Sequence, residues 1–188
     1  KMPEYKSMNY FNNFKKLPSF YWNASTDLNC LKQCINDTKK HSYANHIQRL
    51  MVLGNFALLI DVDPKEVNEW YMIVYADAFE WVELPNVSGM VLFADGGFLG
   101  TKPYVSGGGY INKMSNYCKS CQFNVDLKNG NRAYPFNYLY WNFLINKRDK
   151  LINNHRMRMM MYSIIDQMTD QKKREIQEDS QIFLDKLN

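Results

Sequence analysis

No stretch of this 188-residue chain stays apolar for long. The longest run, "LMVLGNFALLI" (50–60), has 11 residues and follows His46, Gln48 and Arg49. A membrane-spanning helix takes about 20, so the run reads as a buried helix and the chain as one with no membrane partner. The opening "KMPEYKSMNYFNNF" has no apolar segment of the kind a secretory signal carries. The expected location is the cytoplasm, and the start on Lys1 reads as a piece of a longer protein. Charge is also sparse. Asp, Glu, Lys and Arg make up 22%, which argues against disorder, and the formal net charge of +4 is a mild lean toward anionic partners. Four cysteines in a cytoplasmic chain favour metal or redox chemistry over structural disulfides. The glycine clusters "GGFLG" and "GGG" match neither the dinucleotide nor the P-loop pattern and read as loop turns. Three glycosylation sequons (Asn23, Asn36, Asn86) read as chance in an asparagine-rich chain.

What is abundant is apolar and aromatic. Hydrophobic residues make up 46% and aromatic rings 15%, enough to pack one domain with a ring-lined interior. Periodicity predicts an all-α chain. One helix is expected at about 27–37, capped by Ser25 or Thr26, with Leu28, Leu31 and Ile35 inward. A second is expected over about 40–60. A third opens at "DPKE", with Asp63 as N-cap, Pro64 at N1 and Glu66 closing a capping box. It is expected to continue to about Trp81, with Val67, Trp70, Val74 and Ala78 inward. Residues 83–110 read as a long glycine-bearing connection, functional if ordered. A short helix leads to Cys118, residues 127–132 form a turn, and Pro135 opens an aromatic helix. Two more helices follow near 155–167 and 170–187.

Three constellations carry chemistry. Cys30-x3-Cys34 and Cys118-x2-Cys121 together read as a four-thiolate site for zinc or an iron–sulfur cluster; the plain alternative is four reduced, partly buried thiols. Arg49 lies inside the apolar run, and a buried arginine needs a carboxylate. Asp77 is the candidate partner, with Glu83 at the end of the same segment; the plain alternative is a structural ion pair. The rings Trp22, Trp70, Tyr71, Trp81 and Trp141 are ordinary core material or an electron relay. His46 alone reads as a satisfied histidine. The basic stretches "RMRMMMY" (156–162) and "QKKRE" (171–175) read as solvated faces.

Taken in order, "YANHIQRLMVLGNFALL", "YADAFEWVELPNVSGMVLFADGG", "KPY", "YINKMSNYCKSC" and "PFNYLYWNFL" resemble the prokaryotic iron–sulfur branch of the photolyase/cryptochrome family, which includes the bacterial (6-4) photolyases. The resemblance runs from about Leu17 to Phe143 and more weakly to the end. It implies that residues 1–188 are the C-terminal part of a helical FAD-binding domain. The N-terminal α/β antenna domain and the early helices of that domain lie outside the chain.

The resemblance also implies roles. Arg49 and Asp77 match an ion pair beside the flavin ring; Asn55 and Glu83 match positions lining it. His46 matches an active-site histidine facing the lesion, with Asn45 where a second histidine is frequent. Trp70, Tyr71 and Trp22 match an aromatic relay. Cys30, Cys118 and Cys121 match three ligands of a [4Fe–4S] cluster, while the fourth position holds Tyr134, which leaves three outcomes open: Cys34, one turn from Cys30, as the substitute ligand, a cluster on three cysteines with one labile iron, or an empty site partly filled by Tyr134. Lys102, Arg156 and Arg158 are our candidates for contacting DNA phosphates. The implied activity is light-driven repair of UV pyrimidine photoproducts, (6-4) type, by electron transfer from reduced flavin, in a monomer working on damaged DNA at the nucleoid. Two alternatives stay open at this point: a metal-stabilised nucleic-acid-binding helical module, and a cryptochrome-like blue-light photoreceptor.

Overall fold

The computed structural model describes residues 2–187. Among them the regular structure is helical, and β-pairing is limited to two isolated bridges, Lys15 with Val62 and Asn124 with Ala133. None of these helices is long and apolar enough to cross a membrane.

The cysteine-bearing helix, Asn29–His41, buries Leu28, Leu31 and Ile35 as its spacing requires. Thr26 contributes at its start by accepting from the Leu28 amide at 3.3 Å. The first helix runs on to His41, so the expected 40–60 helix starts later than its spacing suggests. Ser42 takes a left-handed conformation (φ 49°) and its amide closes the first helix on Thr38. The chain restarts at His46 and runs as a π-helix over Ile47–Gly54, then as an α-helix over Asn55–Leu59. The restart is capped reciprocally: the Gln48 amide donates to Asn45 Oδ1, and the Asn45 amide donates to Gln48 Oε1, both at 3.0 Å. This is a capping box, and its Asn-x-x-Gln signature before an apolar run was present in the sequence.

The helix at Pro64–Val74 starts as expected, with Asp63 Oδ1 accepting from the Lys65 amide at 2.9 Å. Glu66 does not close a box there. Its carboxylate accepts from Leu17, and the Asp63 amide pairs with Lys15. This helix stops at Val74 rather than near Trp81. Tyr75 turns extended, buries its ring, and meets Thr38 Oγ1 at 3.2 Å, while the Ala76 amide donates to Ser42 O. Tertiary partners outweigh helix propensity here. A short helix, Glu80–Glu83, then feeds a second π-helix, Leu84–Val91, so the expected 83–110 loop is half ordered helix.

The two π-helices pack on each other, and Gly54 permits it. A Cβ at Gly54 would stand 2.8 Å from Val91 Cγ1 and 3.3 Å from both Arg49 O and Tyr71 Oη. Two phenols brace the Ile47–Gly54 π-helix from outside: Tyr71 donates to Arg49 O, and Tyr21 donates to Leu53 O at 2.8 Å. The core continues into Pro135–Asn146, which packs against Asp170–Asp185 and Asn55–Leu59. Phe56 sits at that crossing, with ring centroids 5.3 Å from Phe136 and 6.3 Å from Phe183.

Candidate functional site

Arg49 projects from the π-helix toward the turn that ends the Pro64–Val74 helix. Its Nη2 donates to both oxygens of Asp77, at 2.7 and 3.0 Å, and its Nε donates to Ala44 O at 2.6 Å. Glu83 stands 3.9 Å from Nη1. The guanidinium lies over the Tyr75 ring (4.0 Å) and near the Tyr43 ring (5.0 Å), geometry that favours a cation over an aromatic face. The break at Tyr75 therefore has a chemical result: it puts Asp77 on a turn that an unbroken helix would have carried away from Arg49.

The burial of the three charges is uneven. The Arg49 side chain is 12% exposed and the Asp77 side chain 52%, so the pair opens to solvent on the carboxylate side. Glu83 is buried. Desolvation raises its pKa, Arg49 pulls it down, and Asp77 pushes it up, with a net rise. Tyr43, beside Arg49, is exposed, as are Phe79 and Trp81 on the segment between Asp77 and Glu83. A cavity of about 730 Å³ opens on the other side of Glu83, lined by Phe14, Asn68, Met72, Ile73 and Leu84 among others; neither Arg49 nor Asp77 lines it.

Aromatic rings run inward from this cluster. Tyr75 contacts Tyr71 (5.3 Å) and Trp70 (5.7 Å), Tyr71 contacts Trp70 (5.4 Å), and Trp70 contacts Trp22 (6.5 Å). Trp70 is 1% exposed, with its indole N–H unpaired in the protein, whereas Trp22 is 50% exposed. Trp22, Trp70 and Tyr71 thus form one contiguous set from surface to core. Tyr75 and Tyr43 complete it beside Arg49. Sequence reasoning missed both, because only the turn at 75 and the chain break at 42–45 bring them there.

His46 is exposed, three positions before Arg49 in the same helical restart. Asn55 is placed apart from the charged cluster. Its side chain donates to Ser106 O (2.9 Å) and Oγ (3.1 Å) and accepts from Ser106 N (3.2 Å), pinning the loop that follows the second π-helix. Lys102 is half-buried in that loop, and Arg156 and Arg158 are exposed. Asn154 Nδ2 donates to Thr101 O at 2.9 Å, which ties the two basic segments together. Among the described residues none of these three cations forms an ion pair within 4.0 Å.

The cysteines correct an expectation. Among the described residues, no three thiol, imidazole or carboxylate groups are arranged to hold a metal ion. Cys34, the candidate substitute ligand, is buried beside Tyr117, and burial pushes its thiol up to about 12. Cys30, Cys118 and Cys121 do gather, but around the Tyr134 phenol, which donates to Cys30 Sγ at 2.8 Å. These residues do not fit a [4Fe–4S] cluster.

Flavin adenine dinucleotide fares differently. A flavin presents carbonyls and ring N–H groups, which a guanidinium and a carboxylate can match as donor and acceptor. Arg49 and Asp77 supply both, held by other contacts, with the carboxylate side open and aromatic rings beside the guanidinium. The donor set fits.

No family model matches the chain. It is 50% identical over 186 residues to a (6-4) photolyase of Agrobacterium fabrum, covering 99% of this chain and 36% of that protein. It is also 38% identical over 100 residues to an uncharacterized protein of Acanthamoeba polyphaga mimivirus, covering 53% of this chain and 74% of that one. The chain spans about a third of its photolyase relative's length, at an identity of one residue in two across an all-helical fold, and it belongs to the photolyase family.

Proposed function

We propose that residues 1–188 are the C-terminal part of the helical flavin domain of a light-driven DNA photolyase of the (6-4) type. The single observation that supports this most is the Arg49–Asp77 pair, joined by Glu83 and backed by a continuous file of rings to Trp22. The bound flavin supplies the light absorption and the one-electron chemistry. In this reading Arg49 and Asp77 hold the ring's polar edge, and Tyr43 and Phe79 exclude water from its face. Glu83, buried beside Arg49 with its pKa raised by desolvation, would face the same polar edge. His46 hands a proton from its imidazole to a base drawn out of the duplex. Trp22, Trp70, Tyr71 and Tyr75 would form the route by which a reductant in solution passes an electron to the bound flavin. Lys102, Arg156 and Arg158 grip phosphates flanking the lesion.

The test uses the chain extended upstream to the length of its photolyase relative. The purified protein is expected to absorb in the blue, and to restore lesion-bearing DNA under light and not in the dark. Arg49→Ala is expected to abolish flavin retention. Flavin bound normally by that variant would refute the site, and an extended protein that binds no flavin would refute the function.

A further inference from the structure

Cys30 on helix Asn29–His41, Cys118 and Cys121 on the turn around Tyr117–Ser120, and Tyr134 at the start of helix Pro135–Asn146 meet at one point. Tyr134 is 1% exposed. Its hydroxyl donates to Cys30 Sγ and faces Cys118 and Cys121. Its ring stacks on Phe136 with centroids 5.4 Å apart and planes 19° from parallel. The ring also abuts Gly108, where a Cβ would stand 2.2 Å from ring Cδ1. Backbone, a phenyl ring and three sulfurs therefore close the seat around the phenol.

A four-iron cubane would have to sit among the three thiols, where the Tyr134 hydroxyl now stands against Cys30 Sγ. A phenolate is also a hard oxygen donor, poorly matched to a thiolate-ligated cluster. Cys34 is buried beside Tyr117 and is not among the three thiols that face the Tyr134 hydroxyl. The segments that a cluster would cross-link are joined here by other means. Asn29 Nδ2 donates to Tyr117 O at 2.8 Å and to Ser120 Oγ at 3.2 Å, and the Tyr134 amide donates to Asn124 O at 3.1 Å.

We propose that this chain carries no iron–sulfur cluster, and that the Tyr134 phenol, hydrogen-bonded to Cys30 and seated on Phe136 and Gly108, takes the structural place of one. This is independent of the flavin reading, which rests on other residues.

The experiment is an anaerobic reconstitution of the 188-residue chain with ferrous iron, sulfide and a thiol reductant. Iron is counted by mass spectrometry and absorbance is read near roughly 400 nm. The expected wild-type content is about a tenth of an iron per chain or less, with no such band. Tyr134→Cys is expected to take up iron toward about four per chain and to gain the band. Three or four irons in the wild type would overturn the proposal. A natively folded Tyr134→Cys that stays iron-free would overturn the role given to the phenol. Where that variant fails to fold, alkylation of the reconstituted wild type decides. Cys118 and Cys121 line an open groove of about 350 Å³ and are expected to react, with Cys30 protected until denaturation. Protection of all three would mean ligation and would overturn it.

Discussion

Glu83 concentrates the electrostatics of the site in one carboxyl group. Burial raises its pKa above 4.5 against the pull of Arg49. The folded chain therefore takes up this proton at a higher pH than the unfolded chain does. Falling pH through the folded value stabilises the protein; above it the cost of the buried charge is present in full. Glu83→Gln is expected to raise the melting temperature at pH 7, with the gain shrinking as pH falls toward 4.5. Thermal melts across that range check it, and a loss of stability at pH 7 would contradict it. Arg49 retains Asp77 in that variant, so no buried cation is stranded. At this scale the sequence was informative about pairing: an arginine in an apolar run demanded a carboxylate, and Asp77 supplies it. It was misleading at Cys34, whose helical spacing from Cys30 says nothing about which way a thiol is drawn by Tyr117.

Two π-helices face each other at the site, one bearing Arg49 and the other following Glu83 directly. Such segments are rare and occur often where function needs side chains re-aimed. Their close approach depends on Gly54. Alanine there gains about 1 kcal/mol of helix propensity, but its Cβ meets Val91 Cγ1 at 2.8 Å in a fully packed region, and overpacking costs about 1–3 kcal/mol. Overpacking wins, so Gly54→Ala is expected to lower stability by up to about 2 kcal/mol, read as a shift in urea midpoint without change in slope. Periodicity found most of these elements, since burial of Leu31, Val67 and Trp70 follows from their spacing. It placed the first break a few residues before Ser42 and missed the one at Tyr75; both are set by contacts between distant segments, Ala76 with Ser42 and Tyr75 with Thr38.

On the scale of the molecule, charge and apolar surface are distributed unevenly. Phe79, Trp81 and Tyr43 stay exposed, and Lys102, Arg156 and Arg158, without ion pairs among the described residues, lie on two segments joined through Asn154. If these three contact phosphates, replacing all three by alanine is expected to reduce the log–log salt slope of DNA binding by about 2 to 3 units. An unchanged slope in a fluorescence-anisotropy titration at several salt concentrations would remove them from the interface. The amino-acid sequence by itself determined that the chain is helical, that it packs an aromatic interior, and that it belongs among the photolyases, because periodicity and collinear motifs are local properties of the chain. Only the tertiary structure decided which rings reach Arg49, that Asn55 holds a loop, and that a phenol sits among three thiols. Those outcomes depend on packing between segments tens of residues apart, and no spacing along the chain encodes the space left between them.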